Sequence, residues 1–261
     1  AWYASTVTEP NISLGLKGRV VLVTGGVRGV GAGISAVFAQ QGATVVTCAR
    51  RPVEGLPYDF HSCDVRDPEA VAALIEAIVD THGRLDVVVN NAGGSPYALA
   101  AEASPKFHQK IVELNLLGML HVSQAANAVM QAQPQGGSIV SISSVSAGRP
   151  SPGTAAYSAA KAGVESLTTT LAVEWAPKVR VNTLVVGMVE TEQAELFYGD
   201  AESQAAVAAT VPLGRLAKPV DIGWAAAFLA SDAASYISGA KMAVHGGGEP
   251  PAYLSASSAN K

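Results

Sequence analysis

The stretch Arg19-Val-Val-Leu-Val-Thr-Gly-Gly-Val-Arg-Gly-Val-Gly31 decides the fold that this sequence predicts. Residues 19–24 are an apolar, β-branched run that is typical of a buried parallel strand, and a glycine-rich turn and a helix through about residue 41 follow. Glycine lets the backbone turn sharply and approach an anionic group at the N-terminus of a helix. Because the turn joins a strand to a helix, it indicates a pyrophosphate cradle rather than a turn chosen for packing alone.

The rest of the chain continues this alternation of strands and helices. Further strands are predicted at residues 44–48, 58–63, 85–90, 138–143, 179–186 and 241–245. Helices are predicted after Asp67-Pro68, from Ser104-Pro105 to about residue 131, at 155–175 and at 219–231. Repeated units of this kind predict an α/β fold, with one Rossmann-type, doubly wound parallel sheet and helices on both faces.

One domain accounts for the whole pattern. Of the 261 residues 49% are hydrophobic, which is enough for a sizeable core, and neither an internal repeat nor a Pro-, Gly- or Ser-rich linker divides them. We expect a domain over residues 16–250, after an N-terminal extension 1–15 and before a C-terminal tail 251–261. Residues 188–213 are polar, alanine-rich and aperiodic in their early part, and are predicted to form a lid.

Composition excludes several classes of partner. The formal net charge is −4 and no basic run is present, so nucleic acid is not an expected partner. The two cysteines (Cys48 and Cys63) and five scattered histidines have the spacing of neither a disulfide framework nor a metal site. No apolar run is long enough for a membrane span, and the N-terminal segment lacks the features of a secretory signal. A cytoplasmic protein without a membrane partner is expected.

A phenol and an ammonium group lie four residues apart in Tyr157-Ser-Ala-Ala-Lys161. Positions i and i+4 share one face of a helix, so the two side chains can converge. A nearby lysine cation favours phenolate and lowers the pKa of a tyrosine. A tyrosine tuned in this way can exchange a proton with an alcohol.

Three motifs resemble those of the short-chain dehydrogenase/reductase family. In chain order they are Thr24-Gly-x-x-x-Gly-x-Gly31, Asn90-Asn-Ala-Gly93 and Tyr157-x-x-x-Lys161. The glycine spacing differs from the usual dinucleotide pattern G-x-G-x-x-G, and this departure points to the family. The resemblance covers residues 16–247, belongs to the shorter-chain branch, and extends to its 3-oxoacyl-(acyl-carrier-protein) reductases. It implies an NAD(P)-dependent oxidoreductase that acts on CH–OH groups.

The resemblance also implies a catalytic tetrad. Ser144 lies thirteen residues before Tyr157, the interval usual for the catalytic serine, and would hold the substrate oxygen. Asn115 matches the helix asparagine that holds a proton-relay water. Lys161 would lower the pKa of Tyr157 and grip the nicotinamide ribose.

Cofactor contacts follow from the same resemblance. Arg50 and Arg51 after the second strand, with Arg28 in the glycine turn, suit a 2′-phosphate, so NADP(H) is expected in preference to NAD(H). The implied cofactor-binding residues are Gly25, Val27, Arg28, Gly29, Val30, Gly31, Arg50, Arg51, Asp64, Val65, Asn91, Ala92, Gly93, Tyr157, Lys161, Gly187, Val189 and Thr191.

The sequence departs from the family pattern at two places in the C-terminal half of the chain. Val186-Gly187 replaces the frequent Pro-Gly, and His245-Gly246-Gly247 replaces the frequent Asp-Gly-Gly, a segment usually near a subunit interface. The resemblance implies a homotetramer. Small residues on the Tyr157 helix (Ala159, Ala162, Gly163) suit close packing either between subunits or within one.

The substrate is left open as a small-molecule carbonyl or alcohol. An acyl thioester is one candidate, but Lys178 and Arg180 offer little basic surface for an acidic carrier protein. A catalytically silent nucleotide-binding regulator is a second reading, which the complete tetrad disfavours. The sugar epimerase and dehydratase branch also uses Y-x-x-x-K, but it has another glycine spacing and an extra substrate domain for which this chain lacks length.

Overall fold

A parallel sheet forms the centre of the computed structural model, which describes residues 14–258. Seven strands occur in this part of the chain: β1 (Val20–Thr24), β2 (Thr44–Ala49), β3 (Asp59–Ser62), β4 (Val87–Asn90), β5 (Gly137–Ser144), β6 (Val179–Val186) and β7 (Lys241–Val244). Their order is β3-β2-β1-β4-β5-β6-β7, and every neighbouring pair is parallel. The strand order therefore reverses between β1 and β4, which opens a crevice at their carboxyl ends.

Helices cover both faces of the sheet, as the sequence predicts. They are α1 (Gly29–Gln40), α2 (Pro68–His82), α3 (Pro105–Val112), α4 (Gly118–Ala132), α5 (Ala155–Glu174), α6 (Ala194–Tyr198), α7 (Ala201–Ala209), α8 (Pro219–Ala230) and α9 (Ala252–Ala256). The apolar side chains of α1 and α8 pack on one face, and those of α2, α4 and α5 pack on the other. The doubly wound Rossmann-type fold is confirmed.

Capping residues set the starts of two helices where the sequence places them. Asp67 Oδ1 accepts hydrogen bonds from the N–H groups of Glu69 and Ala70 at the start of α2, and Ser104 Oγ accepts one from Phe107 at the start of α3. Each cap satisfies N–H groups that have no partner within the helix.

The bounds of β6 are as predicted, and those of the other strands differ from the predicted ones by one or two residues. β4 begins at Val87 rather than at residue 85, because the Gln133 side chain binds both the N–H and the carbonyl of Leu85 at 2.8 and 2.9 Å. These backbone groups are then unavailable to a neighbouring strand.

The long helix from residue 105 exists, but a π-helical turn, Glu113–Leu117, separates α3 from α4. The predicted lid, residues 188–213, contains α6 and α7, and the predicted tail contains α9. The predicted N-terminal extension, except Leu14 and Gly15, lies outside the described residues, as do residues 259–261. Across residues 14–258, none of the helices has the length and apolar character that crossing a membrane requires.

Candidate active site

The glycine turn after β1 and the Asn-Asn-Ala-Gly turn after β4 form one unit in the crevice. Thr24 Oγ1 accepts hydrogen bonds from the N–H groups of Asn91 and Ala92, both at 3.0 Å. Asn91 Nδ2 donates to the carbonyls of Thr24 and Gly25 at 3.0 and 3.2 Å. A Cβ at Gly31 would lie only 2.2 Å from the Gly25 carbonyl oxygen, so the closeness of this packing requires glycine. The sequence places both turns correctly at this switch point.

The N-terminus of α1 at this turn binds an anionic group of the chain itself. Gly29 has a φ of +51°, and its N–H donates to both carboxylate oxygens of Glu192, at 3.2 and 3.1 Å. Arg28, at the N-cap position, provides no side-chain cap, and the first turn of α1 contains no acidic residue. Since a carboxylate is accepted here, the turn fits the pyrophosphate of a dinucleotide, which is also an anion bound by backbone N–H groups.

Residues predicted for the adenosine end lie after β2 and β3. Arg50 and Arg51 directly follow β2, and Arg51 is exposed. Arg66 forms a two-point ion pair with Asp64, with distances of 2.9 Å for Nε–Oδ1 and 2.5 Å for Nη2–Oδ2. Hydrogen bonding to Arg66 lowers the pKa of Asp64, and the charge of Arg50 adds to that effect. Arg50 and Asp64 are thus close together, whereas no hydrogen bond or ion pair joins either to the glycine turn within the described residues.

The residues predicted for the nicotinamide end lie at the start of the lid segment. Gly187 packs on His245, whose Cβ would lie 2.8 Å from a Cβ at Gly187. Val189 is buried and pairs with Ala217 as an isolated bridge. Thr191 borders Gly29, since its Cγ2 would lie 3.5 Å from a Cβ there. Of this group, Thr191 is the residue that the structure brings to the glycine turn.

Asn115 lies inside the π-helical turn and is almost fully buried, at 1% exposure. Its Nδ2 donates to the carbonyls of Gly94 and Ile111, both at 2.9 Å, and its Oδ1 accepts the Gly94 N–H at 2.8 Å. An amide nitrogen has two donors, and both are used here, so only an acceptor position of Oδ1 remains. Asn115 therefore fixes the backbone that follows the Asn-Asn-Ala-Gly turn. A π-helical turn of this kind is frequent at functional sites.

Lys161 is buried on α5 and points at the end of β5. Its Nζ donates to the Ile142 carbonyl at 2.7 Å and lies 5.5 Å from the centroid of the Tyr157 ring. Desolvation lowers the pKa of Lys161 to about 8. A Cβ at Gly93 would lie 2.7 Å from Asn115 Oδ1 and 3.4 Å from Lys161 Nζ. Asn115 and Lys161 thus flank the same glycine.

Tyr157 lies on α5 one turn before Lys161, facing the serine at the end of β5. Burial raises the pKa of Tyr157, and a hydrogen bond with Ser144 lowers it to a smaller extent. We expected the Lys161 ammonium to lower this pKa; instead that ammonium hydrogen-bonds the Ile142 carbonyl, and desolvation of the phenol dominates. Ser144 Oγ is itself held by Ser146, which donates its N–H at 3.2 Å. The structure brings Ser144, Tyr157 and Lys161 together. Asn115 lies on the other side of Gly93 from Lys161.

Sequence reasoning missed the contact of Glu192 with Gly29 and the inward position of Tyr198. The contact of Glu192 with Gly29 joins residues 163 positions apart, and no local pattern signals it. Tyr198, at the end of α6, lies near enough to Tyr157 to raise the pKa of that phenol. The apolar cluster that it forms with Leu196 and Phe197 was the available signal, but Leu196 and Phe197 are exposed at 78% and 61%. Only Tyr198 of the three turns inward.

Of the small residues of α5, the structure places one in a contact within the subunit. Gly163 packs within the subunit, because a Cβ there would lie 3.0 Å from Leu116. Ala159 and Ala162 are exposed. The His245-Gly246-Gly247 segment packs on the end of the lid segment, where the Leu213 N–H donates to the Gly246 carbonyl at 3.1 Å.

Comparison with known proteins agrees with this geometry. A profile of the family described as "Enoyl-(Acyl carrier protein) reductase" matches residues 25–249. The chain is 36% identical over 244 residues to the 3-oxoacyl-[acyl-carrier-protein] reductase FabG of Thermotoga maritima, which covers 89% of this chain and 98% of that protein. This protein belongs to the short-chain dehydrogenase/reductase family. It is an oxidoreductase of the class that acts on CH–OH and carbonyl groups.

Other members of the short-chain dehydrogenase/reductase family are similar over most of their length. Oxidoreductase UcpA of Escherichia coli O157:H7 is 35% identical over 258 residues, which cover 92% of this chain and 98% of that protein. The solved structure of the aldohexose dehydrogenase of Thermoplasma acidophilum has a TM-score of 0.87 and 32% identity, and covers 96% of this chain and 99% of that chain. An acyl thioester and a sugar differ greatly, so membership of the family leaves the substrate open.

Proposed function

We propose that this short-chain dehydrogenase/reductase transfers a hydride between NADP(H) and a ketone or secondary alcohol, with Tyr157 as the acid/base. The observation that supports this most directly is the meeting of Ser144, Tyr157 and Lys161 next to Gly93, whose turn packs on the glycine turn. The dinucleotide, when bound by residues 25–31, 91–93, 187, 189 and 191, supplies the hydride chemistry. The substrate would be a small molecule.

The side chains of the site divide the remaining work. Ser144 would hydrogen-bond the substrate oxygen and hold it against the Tyr157 phenol, which donates or accepts the proton. Lys161, fixed by the Ile142 carbonyl, supplies positive charge beside the phenol ring. Asn115 keeps Gly94 in place, and the free acceptor position of its Oδ1 is where a proton-relay water could bind.

Replacing Tyr157 by Phe tests the assignment of the acid/base. The phenol oxygen is lost while the ring is kept, so kcat should fall by about 10²–10⁴-fold and the Kd for NADPH should change little. Steady-state kinetics and fluorescence titration measure the two quantities. The matched control is Tyr236→Phe, which removes a hydroxyl from a fully exposed tyrosine. An unchanged kcat in the Tyr157 variant would sink the mechanism.

Preference for NADP(H) rests on Arg50 and Arg51 after β2, where an acidic partner for a ribose 2′-OH is not found. Guanidinium groups pair well with a phosphate. We expect kcat/KM to be higher with NADPH than with NADH, and measurement of both on one carbonyl substrate checks it. A preference for NADH would contradict the assignment.

A 3-oxoacyl thioester is the substrate that the relationship to the Thermotoga reductase favours. Because loops differ freely on one scaffold, a panel of ketones and acyl thioesters is the appropriate assay. A catalytically silent nucleotide-binding regulator remains the alternative, and turnover of any member of the panel excludes it. We also propose a homotetramer in the cytoplasm; light scattering that gives a monomer would refute the assembly.

A further inference from the structure

Glu192 and Gly29 make the contact that joins the lid segment to the glycine turn. Both carboxylate oxygens of Glu192 accept the Gly29 N–H, at 3.2 and 3.1 Å. The neighbouring Thr191 also borders Gly29. Residues 191–192 therefore cover the start of α1.

The position of this carboxylate matches an electrostatic need of α1. The N-terminus of a helix carries a partial positive charge and free N–H groups, which favour a nearby anion. The first turn of α1 contains no acidic residue, and Arg28 at its N-cap provides no side-chain cap. Glu192 supplies the missing negative charge from a segment 163 residues further along the chain.

The same N–H group would receive the pyrophosphate of a dinucleotide, so the two anions compete. One Gly29 N–H cannot serve both, and a carboxylate beside a pyrophosphate adds like-charge repulsion. Glu192 is exposed, so its carboxylate can move into solvent without being buried elsewhere.

We propose that Glu192 is a built-in competitor of the cofactor: its carboxylate holds the lid segment on the glycine turn until the pyrophosphate displaces it. This inference rests on the proposed function, because it assumes that a dinucleotide binds at residues 25–31. Displacement frees residues 191–199 to move, so that binding of the dinucleotide and release of this part of the lid segment become one event.

Glu192→Gln tests the proposal, because glutamine keeps the size of the side chain but removes its charge. We expect Kd for NADPH and for NADH to fall by the same factor, about two- to tenfold, since the competition is at the pyrophosphate and not at the 2′ position. Adenosine 2′-monophosphate, which lacks the pyrophosphate, should bind both proteins equally. Titration calorimetry measures all three ligands.

The control variant is Glu195→Gln, which makes the same charge change on an exposed residue of α6, whereas the Gly29 N–H binds Glu192. It should leave every Kd unchanged. A second readout needs no cofactor: hydrogen exchange of residues 191–199 should be faster in the Glu192 variant than in the parent protein or the control.

The outcomes separate this inference from the proposed function. If the parent protein binds NADPH but Glu192→Gln binds it equally or more weakly, the competition is disproved and the proposed function stands. An equal gain in the Glu195 variant would show a general charge effect and would also overturn it. If the parent protein binds neither dinucleotide, both proposals fall. Unchanged hydrogen exchange would contradict the holding of the lid segment.

Discussion

The glycine turn, residues 25–31, and the lid segment, residues 188–213, touch at Gly29 and Glu192 but are held in different ways. The turn is locked by backbone groups and by Thr24 and Asn91, with no room for a Cβ at Gly31. At the start of the lid segment, the backbone groups of Met188 and Glu190 hydrogen-bond the backbone of Ala217. Further along, the segment exposes the large apolar side chains of Leu196 and Phe197.

This difference matches two parts of the function: the rigid turn suits the cofactor chemistry of the family, and the exposed lid segment suits the recognition of a particular substrate. The glycine turn and the group of Ser144, Tyr157 and Lys161 each have one tightly constrained arrangement, which suits a cofactor common to the family. The exposed lid segment can change sequence at little cost in stability, which suits a substrate that differs between relatives. Substitutions on the two sides should therefore have unequal effects.

The largest pH-dependent effect is expected from Lys161, the buried cation beside Gly93. Its pKa falls from the ordinary lysine range to about 8, so between about pH 8 and 10.5 the unfolded chain binds a proton that the folded one does not. Stability then rises with pH, and the parent protein should gain up to about 3 kcal/mol relative to Lys161→Met across this window. Urea denaturation at several pH values measures the difference.

Lys106→Met serves as the control for this titration, because Lys106 is an exposed lysine of α3. The difference in unfolding free energy between the Lys106 variant and the parent protein should stay constant over the same pH window. A level curve for Lys161→Met as well would show that Lys161 is not desolvated.

Gly31→Ala should cost about 1–3 kcal/mol of unfolding free energy, as overpacking of a rigid site usually does. The added methyl group would meet the Gly25 carbonyl at 2.2 Å and Asn91 Nδ2 at 2.5 Å, so NADPH binding should weaken too. Gly148→Ala is the control, since a Cβ there meets nothing within 4 Å. Chemical denaturation and NADPH titration check both; equal results for the two variants would contradict the account.

The smallest effect is expected in the lid segment. Leu196→Ala removes a side chain that is 78% exposed and should change the unfolding free energy by less than about 0.5 kcal/mol. Leu22→Ala, in a fully buried position of β1, should cost about 2–5 kcal/mol. A KM that changes in the Leu196 variant would indicate that this side chain contacts the substrate. A large loss of stability would disprove the contrast between the two regions.

Local patterns predict the elements of this fold well, because strand and helix signals are short-range. The glycine turn, the capped starts of α2 and α3, and the Tyr157 helix all depend on neighbouring residues. The contact of Glu192 with Gly29 and the pairing of Asp64 with Arg66 depend on side-chain placement, which hydrophobic periodicity does not encode. The direction of the Tyr157 pKa was missed for the same reason, since burial outweighs a lysine that is held by a carbonyl.

The π-helical turn at Asn115 fixes the number of residues between α3 and α4. Here the Gly118 N–H donates to the carbonyl of Glu113, five residues earlier, and Asn115 Nδ2 donates to the Ile111 carbonyl. Such a turn holds one residue more than an α-helix would over the same span. Deleting a single residue between 113 and 117 would remove this extra residue and leave a regular α-helix over the same span, so α4 would keep its place but Asn115 would lose its position. Protein engineers who recombine this chain with its relatives should therefore place crossovers outside this helix.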